Sequence, residues 1–291
     1  MELFQLFLST VWLRPYVFFF LLVFLLAGAR SFGWGRTLFF GALTWLLAFV
    51  AEYSSIRSGI PFGLYVYLDA TRESELWIGN VPFMDSLSFT FLAYASYMLA
   101  LAFCLPVRCE QGRPRLVDLP EVRRSWGVWL LAVCFFVWID VVIDPAAVRG
   151  DRWFLGKIFY YPTGGIYFGV PLSNFVGWGV VGGAAIGLFQ FCDRLFWSDR
   201  PAQPSIASVW LYYLILGFNL AVTFWIDEPF LGLVGVMIHL PITLLLIVRL
   251  GLACRPPEET SGREPDEPMR RRISHILGRD RRKPATPPAS E

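Results

Sequence analysis

Long apolar runs alternate with short polar segments over most of this chain. A helix needs roughly 20 apolar residues to cross a bilayer core of about 30 Å. The pattern therefore predicts an all-α, polytopic transmembrane helix bundle of about seven spans, at approximately 10–29, 37–53, 84–105, 127–143, 170–192, 209–227 and 229–250. The first run contains Arg14-Pro15, so either Pro15 opens a short helix or a longer helix is kinked there, and we expect Arg14 to extend to the lipid headgroups.

The composition agrees with a membrane protein and excludes several functions. The 291 residues are 56% hydrophobic and only 16% charged, which lies outside the range of soluble proteins. The net charge is +2 and the basic residues are dispersed, so we expect no nucleic-acid partner. His239 and His275 are too few for a membrane di-iron oxygenase, and no dinucleotide-binding glycine motif is present, so we expect neither metal–oxygen nor dinucleotide chemistry.

The distribution of basic residues predicts the orientation. With seven spans, the loops near 30–36, 106–126 and 193–208 lie on the same face as the C-terminal tail, and together they hold most of the 25 Lys and Arg residues. The positive-inside rule then places the N-terminus outside and the C-terminus in the cytoplasm. Residues 1–253 are predicted to form the transmembrane domain, and residues 254–291, rich in Pro, Glu and Arg, a cytoplasmic and mostly disordered tail.

The five cysteines do not suggest a disulfide framework. Cys104, Cys134 and Cys192 lie in apolar runs, whereas Cys109 and Cys254 lie in basic loops on the predicted cytoplasmic side. Because thiols stay reduced in the cytosol, we expect five free thiols.

Acidic residues occur where lipid is expected. An ionisable side chain within a span costs roughly 2.5 to 3.5 kcal/mol, so each one requires a reason. Because successive spans run in opposite directions, the seven-span arrangement places all of these groups in one layer near the non-cytoplasmic end. The acids of this layer are Glu52, Asp85, Asp140, Asp144, Asp227 and Glu228, and Asn174 lies in the same layer.

The roles expected for these acids differ. For Asp227 and Glu228 an ordinary helix-end role is favoured, whereas Glu52 is expected to face protein and to pair with Arg57 or a polar neighbour. Asp140 and Asp144 are four residues apart and share a helix face, and two partly desolvated carboxyl groups so placed favour retention of a proton, which a general acid requires.

Two loops on this predicted side, near 54–82 and 145–169, are rich in aromatic residues and glycine. An interfacial aromatic belt accounts for part of this density. The remaining aromatic residues can line an apolar slot and stabilise a cation formed there.

Two other features of the spans favour structural roles. Gly179, Gly183 and Gly187 indicate close helix packing, and His239 is interpreted as a hydrogen-bonded core residue rather than a proton relay.

Four segments resemble the carotenoid-biosynthesis integral membrane protein family, of the bisanhydrobacterioruberin hydratase and carotenoid 1,2-hydratase type. They are AEYSSIRSGIPFGLYVY (51–67), VPFMDSLSFTFLAYASYMLA (81–100), IDPAAVRGDRWF (143–154) and GGIYFGVPLSNFVGWG (164–179). The stretch YFGVPLSNFVGW is the most specific element, and the resemblance spans roughly residues 37 to 250.

The resemblance implies addition of water to the terminal C=C bond of an acyclic carotenoid end group, which leaves a tertiary alcohol and uses no cofactor. Such chemistry needs a desolvated acid, aromatic faces around a tertiary cation and a positioned water. The candidate catalytic residues are Glu52, Asp85, Asp140, Asp144 and Asn174, with Glu52 or one of Asp140 and Asp144 as proton donor. The candidate substrate-binding residues are Tyr53, Tyr65, Tyr67, Trp153, Tyr167, Phe168 and Trp178.

The expected partners are an acyclic carotenoid, the lipid bilayer and possible further enzymes of carotenoid synthesis, with a bacterial-type plasma membrane as the location.

An intramembrane lycopene-type cyclase is the second hypothesis, although the Pro-x-Glu-Glu/Asp signature of small cyclases is absent from the sequence. A non-enzymatic protein that handles protons or lipids is the third. A continuous proton path would need polar residues at several depths, and the inner halves of the predicted helices are apolar apart from His239 and Asn219.

Overall fold

The computed structural model describes residues 3–198 and 200–255, and most of the predicted tail at 254–291 lies outside them. The helices are α1 Leu3–Leu13, α2 Pro15–Phe32, α3 Trp34–Ser58, α4 Phe83–Cys104, α5 Pro120–Arg123, α6 Trp126–Ala147, α7 Leu172–Phe196, α8 Ile206–Trp225 and α9 Pro229–Ala253. The strands are β1 Val66–Tyr67, β2 Trp77–Ile78, β3 Val81–Pro82, β4 Val107–Glu110, β5 Arg113–Leu116 and β6 Phe159–Tyr160.

Seven of these helices are long and apolar enough to cross a membrane, namely α2, α3, α4, α6, α7, α8 and α9. The prediction of an all-α bundle with about seven spans is therefore confirmed. Pro15 occupies the first turn of α2, which agrees with a separate short helix rather than a kinked long one. The preceding segment forms its own apolar helix, α1, which the span prediction did not resolve.

Helix α4 occupies the centre of the bundle and packs against α2, α3, α6 and α8. Its middle carries small residues such as Ala93, Ala95 and Ala100, which are fully buried and let neighbouring helices approach closely. Helix α3 extends to Ser58, beyond its predicted end at 53, and stops at Gly59, which has the left-handed φ of 76° typical of a helix C-cap. Residue 52 therefore lies within a helix and not at its end.

Helices α6 and α7 pack through glycines. A side-chain carbon at Gly183 would lie 3.2 Å from Trp129, and one at Gly187 would lie 3.1 Å from the same indole. These contacts confirm the predicted packing role at those two positions. Gly182, outside the predicted stripe, is tighter still, since a methyl group there would overlap the ring of Phe136.

Two expectations about the periphery are wrong. Arg14 does not reach the headgroups: its side chain is buried and forms an ion pair with the buried carboxylate of Glu75. The loop between α3 and α4 brings Glu75 to it, and a paired charge costs less to bury than an isolated one.

Cys109 and Cys254 are joined in a disulfide across a Cα–Cα distance of 5.0 Å, because the β4–β5 hairpin packs against α9. The expectation of five free thiols therefore fails at these two positions.

Candidate active site

A cavity of about 110 Å³ lies where the C-terminal parts of α3 and α6 meet the N-terminal parts of α4 and α7. Its polar wall contains Glu52, Asp85, Asp144 and Asn174, one from each of these helices. The parity of the spans predicted that these side chains share a layer, and the structure brings them to one chamber. Asp140 lies behind the wall, one turn before Asp144 on α6.

Glu52 accepts a hydrogen bond from the hydroxyl of Ser86 on α4. Both side chains are buried, and Glu52 is only 2% exposed. The expected polar neighbour of Glu52 is therefore Ser86 and not Arg57. The guanidinium carbon of Arg57 instead lies 3.5 Å from the centroid of the Tyr53 ring. Sequence reasoning missed Ser86, because α4 carries several other hydroxyl groups and nothing in the local sequence separates this one from them.

Asn174 joins the two aspartates of α6. Its carboxamide nitrogen donates to Asp140 Oδ2 at 2.8 Å and to Asp144 Oδ2 at 2.6 Å. The other carboxyl oxygen of Asp140, Oδ1, is buried and has no hydrogen-bond partner within the described part of the chain. The predicted shared face of Asp140 and Asp144 is therefore real, and the start of α7 supplies the donor that holds both groups.

A small sheet positions the phenol groups beside the acids. Strands β1 and β6 pair so that Tyr67 lies opposite Phe159, which joins the two aromatic loops. The Tyr67 hydroxyl donates to Asp85 Oδ2 at 2.5 Å and lies 3.4 Å from the hydroxyl of Tyr65. Burial raises the pKa of Tyr67 well above its usual range, and the charges of Asp85 and Glu52 raise it further. The phenol therefore remains a hydrogen-bond donor at neutral pH.

Two further phenols of the cavity wall also stay protonated. Burial raises the pKa of Tyr65, with contributions from Glu52 and Asp85. Burial likewise raises the pKa of Tyr161, and the charge of Asp144 adds to that effect. The carboxyl groups thus face neutral hydroxyl and amide donors.

The acids of the chamber have no basic counter-ion in the part of the chain that the structure describes. No arginine or lysine there forms an ion pair with Glu52, Asp85, Asp140 or Asp144. Glu75, in the loop between α3 and α4, differs from them because its carboxylate is paired with Arg14, which lies between α1 and α2.

Aromatic rings form the apolar wall of the cavity. Trp178 stacks on Phe89 with ring centroids 4.5 Å apart, and Phe136 packs against Trp178 from behind at 4.7 Å. On another side, Tyr16 of α2 stacks on Phe218 of α8 at 5.3 Å. Tyr16, Phe89 and Phe218 were not predicted to belong to the site, because aromatic residues within an apolar span carry no sequence signal that separates a cavity wall from a lipid-facing surface.

The predicted substrate-binding residues divide into two groups. Those that line the cavity are Tyr65, Tyr67, Trp153 and Trp178. Three others do not belong to the described cavity wall: Tyr53 is 41% exposed, and Tyr167 and Phe168 pack against each other at 4.9 Å in a separate turn. Burial raises the pKa of Tyr167 to about 12.

The two acids before α9 also lie apart from the cavity. Glu228 forms ion pairs with Arg149 at 3.0 Å and Arg152 at 2.5 Å. Slight burial raises the pKa of Glu228, but the hydrogen bonds and charges of these two arginines outweigh that effect and leave the pKa below its usual value. This arrangement is the helix-end role favoured for Glu228. Asp227 has a φ of 59° in the same turn.

His239 is buried and hydrogen-bonded, as interpreted from the sequence. Its ring nitrogens lie 3.2 Å from the Tyr212 hydroxyl and 2.9 Å from the carbonyl of Gly235. Over the described residues, no cluster of three or more His, Cys, Asp and Glu side chains is arranged to hold a metal ion.

Comparison with known proteins gives two matches. A family described as "Carotenoid biosynthesis protein" matches residues 13–250. A bisanhydrobacterioruberin hydratase of Haloarcula japonica is 29% identical over 198 residues, which cover 67% of this chain and 59% of that protein. The match therefore spans about three fifths of the relative's length. No solved structure matches the chain.

Proposed function

Because this chain belongs to the carotenoid biosynthesis protein family, we propose that it is a carotenoid hydratase. It adds water to the terminal C=C bond of an acyclic carotenoid end group and produces a tertiary alcohol. The observation that carries the proposal is the chamber in which Glu52, Asp85 and Asp144 meet among aromatic rings without a basic partner among the described residues. The relative from Haloarcula japonica, which is named a hydratase, supports the same reaction class.

The reaction begins with transfer of a proton to the less substituted carbon of the terminal alkene. We assign this step to Asp144, which faces the cavity and is linked through Asn174 to Asp140. Two carboxylates held so close repel each other, and a proton shared between them removes that repulsion. The pair can thus store the proton that the alkene accepts.

The resulting tertiary cation needs a nearby source of negative charge or electron density. The faces of Trp178 and Phe89 supply such electron density, since an aromatic face attracts a cation within about 6 Å.

A water molecule then attacks the cation, and a carboxylate accepts the proton that this water loses. Glu52 and Asp85 are the candidates, and Tyr67 holds Asp85 in place through its hydrogen bond. The sum is one water added, and return of the proton from Glu52 or Asp85 to Asp144 restores the starting state of the protein.

The size of the cavity restricts what enters it. A space of about 110 Å³ holds the end of an isoprenoid chain and not a whole carotenoid. The apolar wall continues through Phe20 of α2, Phe91 of α4 and Ile215 of α8, away from the acids. We propose that the polyene next to the reacting end group lies against these buried side chains, and that the substrate is taken from the membrane.

The test is expression in a host that accumulates an acyclic carotenoid. The expected product is more polar and heavier by one water for each end that reacts. Glu52→Gln and Asp144→Asn should abolish the product while the protein still inserts into the membrane, since general acid–base catalysis typically contributes about 10² to 10⁴ in rate. Asp151→Asn, at an exposed loop position, is the matched control and should retain activity.

Two results would overturn the proposal. A ring-bearing hydrocarbon of unchanged mass would indicate the cyclase hypothesis. Unaltered carotenoid, together with proton flux into liposomes that disappears in Glu52→Gln, would indicate the non-enzymatic one.

The arrangement in the cell is part of the proposal. We place the catalytic domain at residues 1–253 in a bacterial-type plasma membrane, with the N-terminus outside and the tail at 254–291 in the cytoplasm. Further enzymes of carotenoid synthesis are possible partners. Reporter fusions at the two ends, each active on only one side of the membrane, test the orientation.

A further inference from the structure

A second concavity lies between α6 and α7, at the opposite end of these helices from the acid-lined cavity. It has a volume of about 380 Å³ and opens on the outer surface of the bundle. Its apolar lining comes from Trp126 and Trp129 of α6 and from Leu188 and Phe191 of α7. Trp126 is 80% exposed and Phe191 59% exposed, so no protein element among the described residues covers them.

The floor of this groove is shaped by small residues. Gly183, Ala184 and Gly187 line it, and the indole of Trp129 lies across the two glycines and donates a hydrogen bond of 2.8 Å to the carbonyl of Gly183. Because both helices span the membrane, the groove faces lipid. The floor is therefore formed by the Trp129 indole and the small side chain of Ala184, and the apolar space above it matches an acyl chain.

One end of the groove carries guanidinium groups. Arg124 and Arg194 both line it. Arg124 is held in place, with Nε 2.7 Å from Asp193 Oδ2 and Nη2 3.1 Å from the carbonyl of Trp197. Arg194 is exposed and makes one long hydrogen bond, 3.4 Å to the carbonyl of Arg124, and within the described residues it has no carboxylate partner.

The charge behind this end is also positive. Asp193 is shared by three arginines, since Arg36 and Arg123 pair with it in addition to Arg124. The one further acid in these ion pairs is Asp118, 2.8 Å from Arg123. Among the described residues of this cluster, guanidinium groups therefore outnumber carboxylates, and the exposed arginine of α7 adds to the excess.

We propose that this groove binds an anionic phospholipid. The phosphate is held by Arg194 with support from Arg124, and an acyl chain lies in the groove against the apolar side chains of Trp129, Leu188 and Phe191. Charge complementarity selects the anionic headgroup, and the tryptophans match the depth of the membrane interface. The proposed hydration chemistry does not use this groove, so the inference is independent of it.

The test is lipid binding by the full chain purified in detergent. Native mass spectrometry should show retention of dioleoylphosphatidylglycerol in preference to dioleoylphosphatidylcholine. Arg194→Gln should weaken phosphatidylglycerol binding roughly tenfold, because it removes a hydrogen bond to a charged group. Arg30→Gln, an exposed arginine in the last turn of α2 at the same end of the bundle, is the matched control and should bind as the unaltered protein does.

A second variant tests the groove without changing its charge. Ala184→Leu fills the floor and should also weaken retention of phosphatidylglycerol, and it keeps the proposal testable if Arg194→Gln fails to fold. Equal binding of the two lipids, unchanged binding in both groove variants, or full competition by inorganic phosphate alone would each overturn the proposal. The last result would identify a phosphate site without a role for the acyl chain.

Discussion

The carboxamide nitrogen of Asn174 lies 2.6 Å from the carboxylate of Asp144, so the first turn of α7 holds an acid that lies in the last turns of α6. The same nitrogen reaches Asp140 at 2.8 Å. One amide therefore determines where two carboxyl groups point.

Asn174→Leu removes this donor and keeps a side chain of similar size. We expect a loss of about 1 to 3 kcal/mol in the free energy of unfolding, because two buried acceptors lose a partner, and a fall in hydration rate because Asp144 is no longer oriented. Thermal unfolding in detergent and product yield measure the two effects. Ser173→Ala, one residue earlier, is the control, and equal behaviour of the two variants would contradict the role of Asn174.

Tyr67→Phe removes the hydroxyl that donates to Asp85 and leaves the ring in place. Hydration should slow by roughly tenfold, the cost of about one hydrogen bond to a charged group, and the free energy of unfolding should fall by about 1 to 3 kcal/mol because the Asp85 carboxylate loses its donor. Tyr160→Phe, on the exposed side of the same small sheet, should have no effect on the rate. A normal rate in Tyr67→Phe would show that Asp85 does not depend on this phenol.

Arg14→Met leaves the Glu75 carboxylate buried without its counter-ion. Removal of one partner of a buried pair typically costs about 3 to 5 kcal/mol, so the unfolding temperature should fall sharply. The double variant Arg14→Met with Glu75→Met should recover much of the loss. Arg72→Met breaks an ion pair with Asp69 in which both side chains are well exposed, and it should cost no more than about 1 kcal/mol. Equal losses in the buried and exposed pairs would contradict the assignment.

The cysteines give a test that also bears on orientation. The disulfide and the proposed orientation predict opposite labelling by a maleimide under denaturing conditions without a reductant. A disulfide that persists in the cell leaves only Cys104, Cys134 and Cys192 to be labelled, whereas a cytoplasmic position of Cys109 and Cys254 leaves all five. Disulfides persist in oxidising compartments, whereas the distribution of basic residues predicts that Cys109 and Cys254 face the cytosol. Five labelled thiols in protein from cells would favour the predicted orientation over the disulfide. A persistent disulfide would favour the inverse orientation.

The hydrophobic pattern was sufficient to predict the seven spanning helices and the approximate layer of the acids. Bilayer thickness fixes the length of a span, so the count of seven and the alternation of ends follow from sequence. Glu52, Asp85, Asp144 and Asn174 could be assigned to one layer on that basis alone. Close packing at glycine on α7 was predictable for a related reason, since few residue types allow two helices to approach closely.

Side-chain partners required the tertiary structure. Ser86 is one hydroxyl among several on α4, and nothing in its local sequence indicates that it faces Glu52. Arg14 looked like an interfacial residue because its partner Glu75 is 61 positions away, in a loop whose path no periodicity describes.

The sequence by itself determined how many helices cross the membrane and which ends carry acids, because these depend on local hydrophobicity and on a fixed bilayer thickness. Only the tertiary structure decided which aromatic rings enclose the chamber, why Tyr53, Tyr167 and Phe168 lie outside its wall, and how one asparagine links the two aspartates of α6. Those relationships depend on the rotation of each helix about its axis and on the packing of loops, which are set by contacts between residues far apart in the chain.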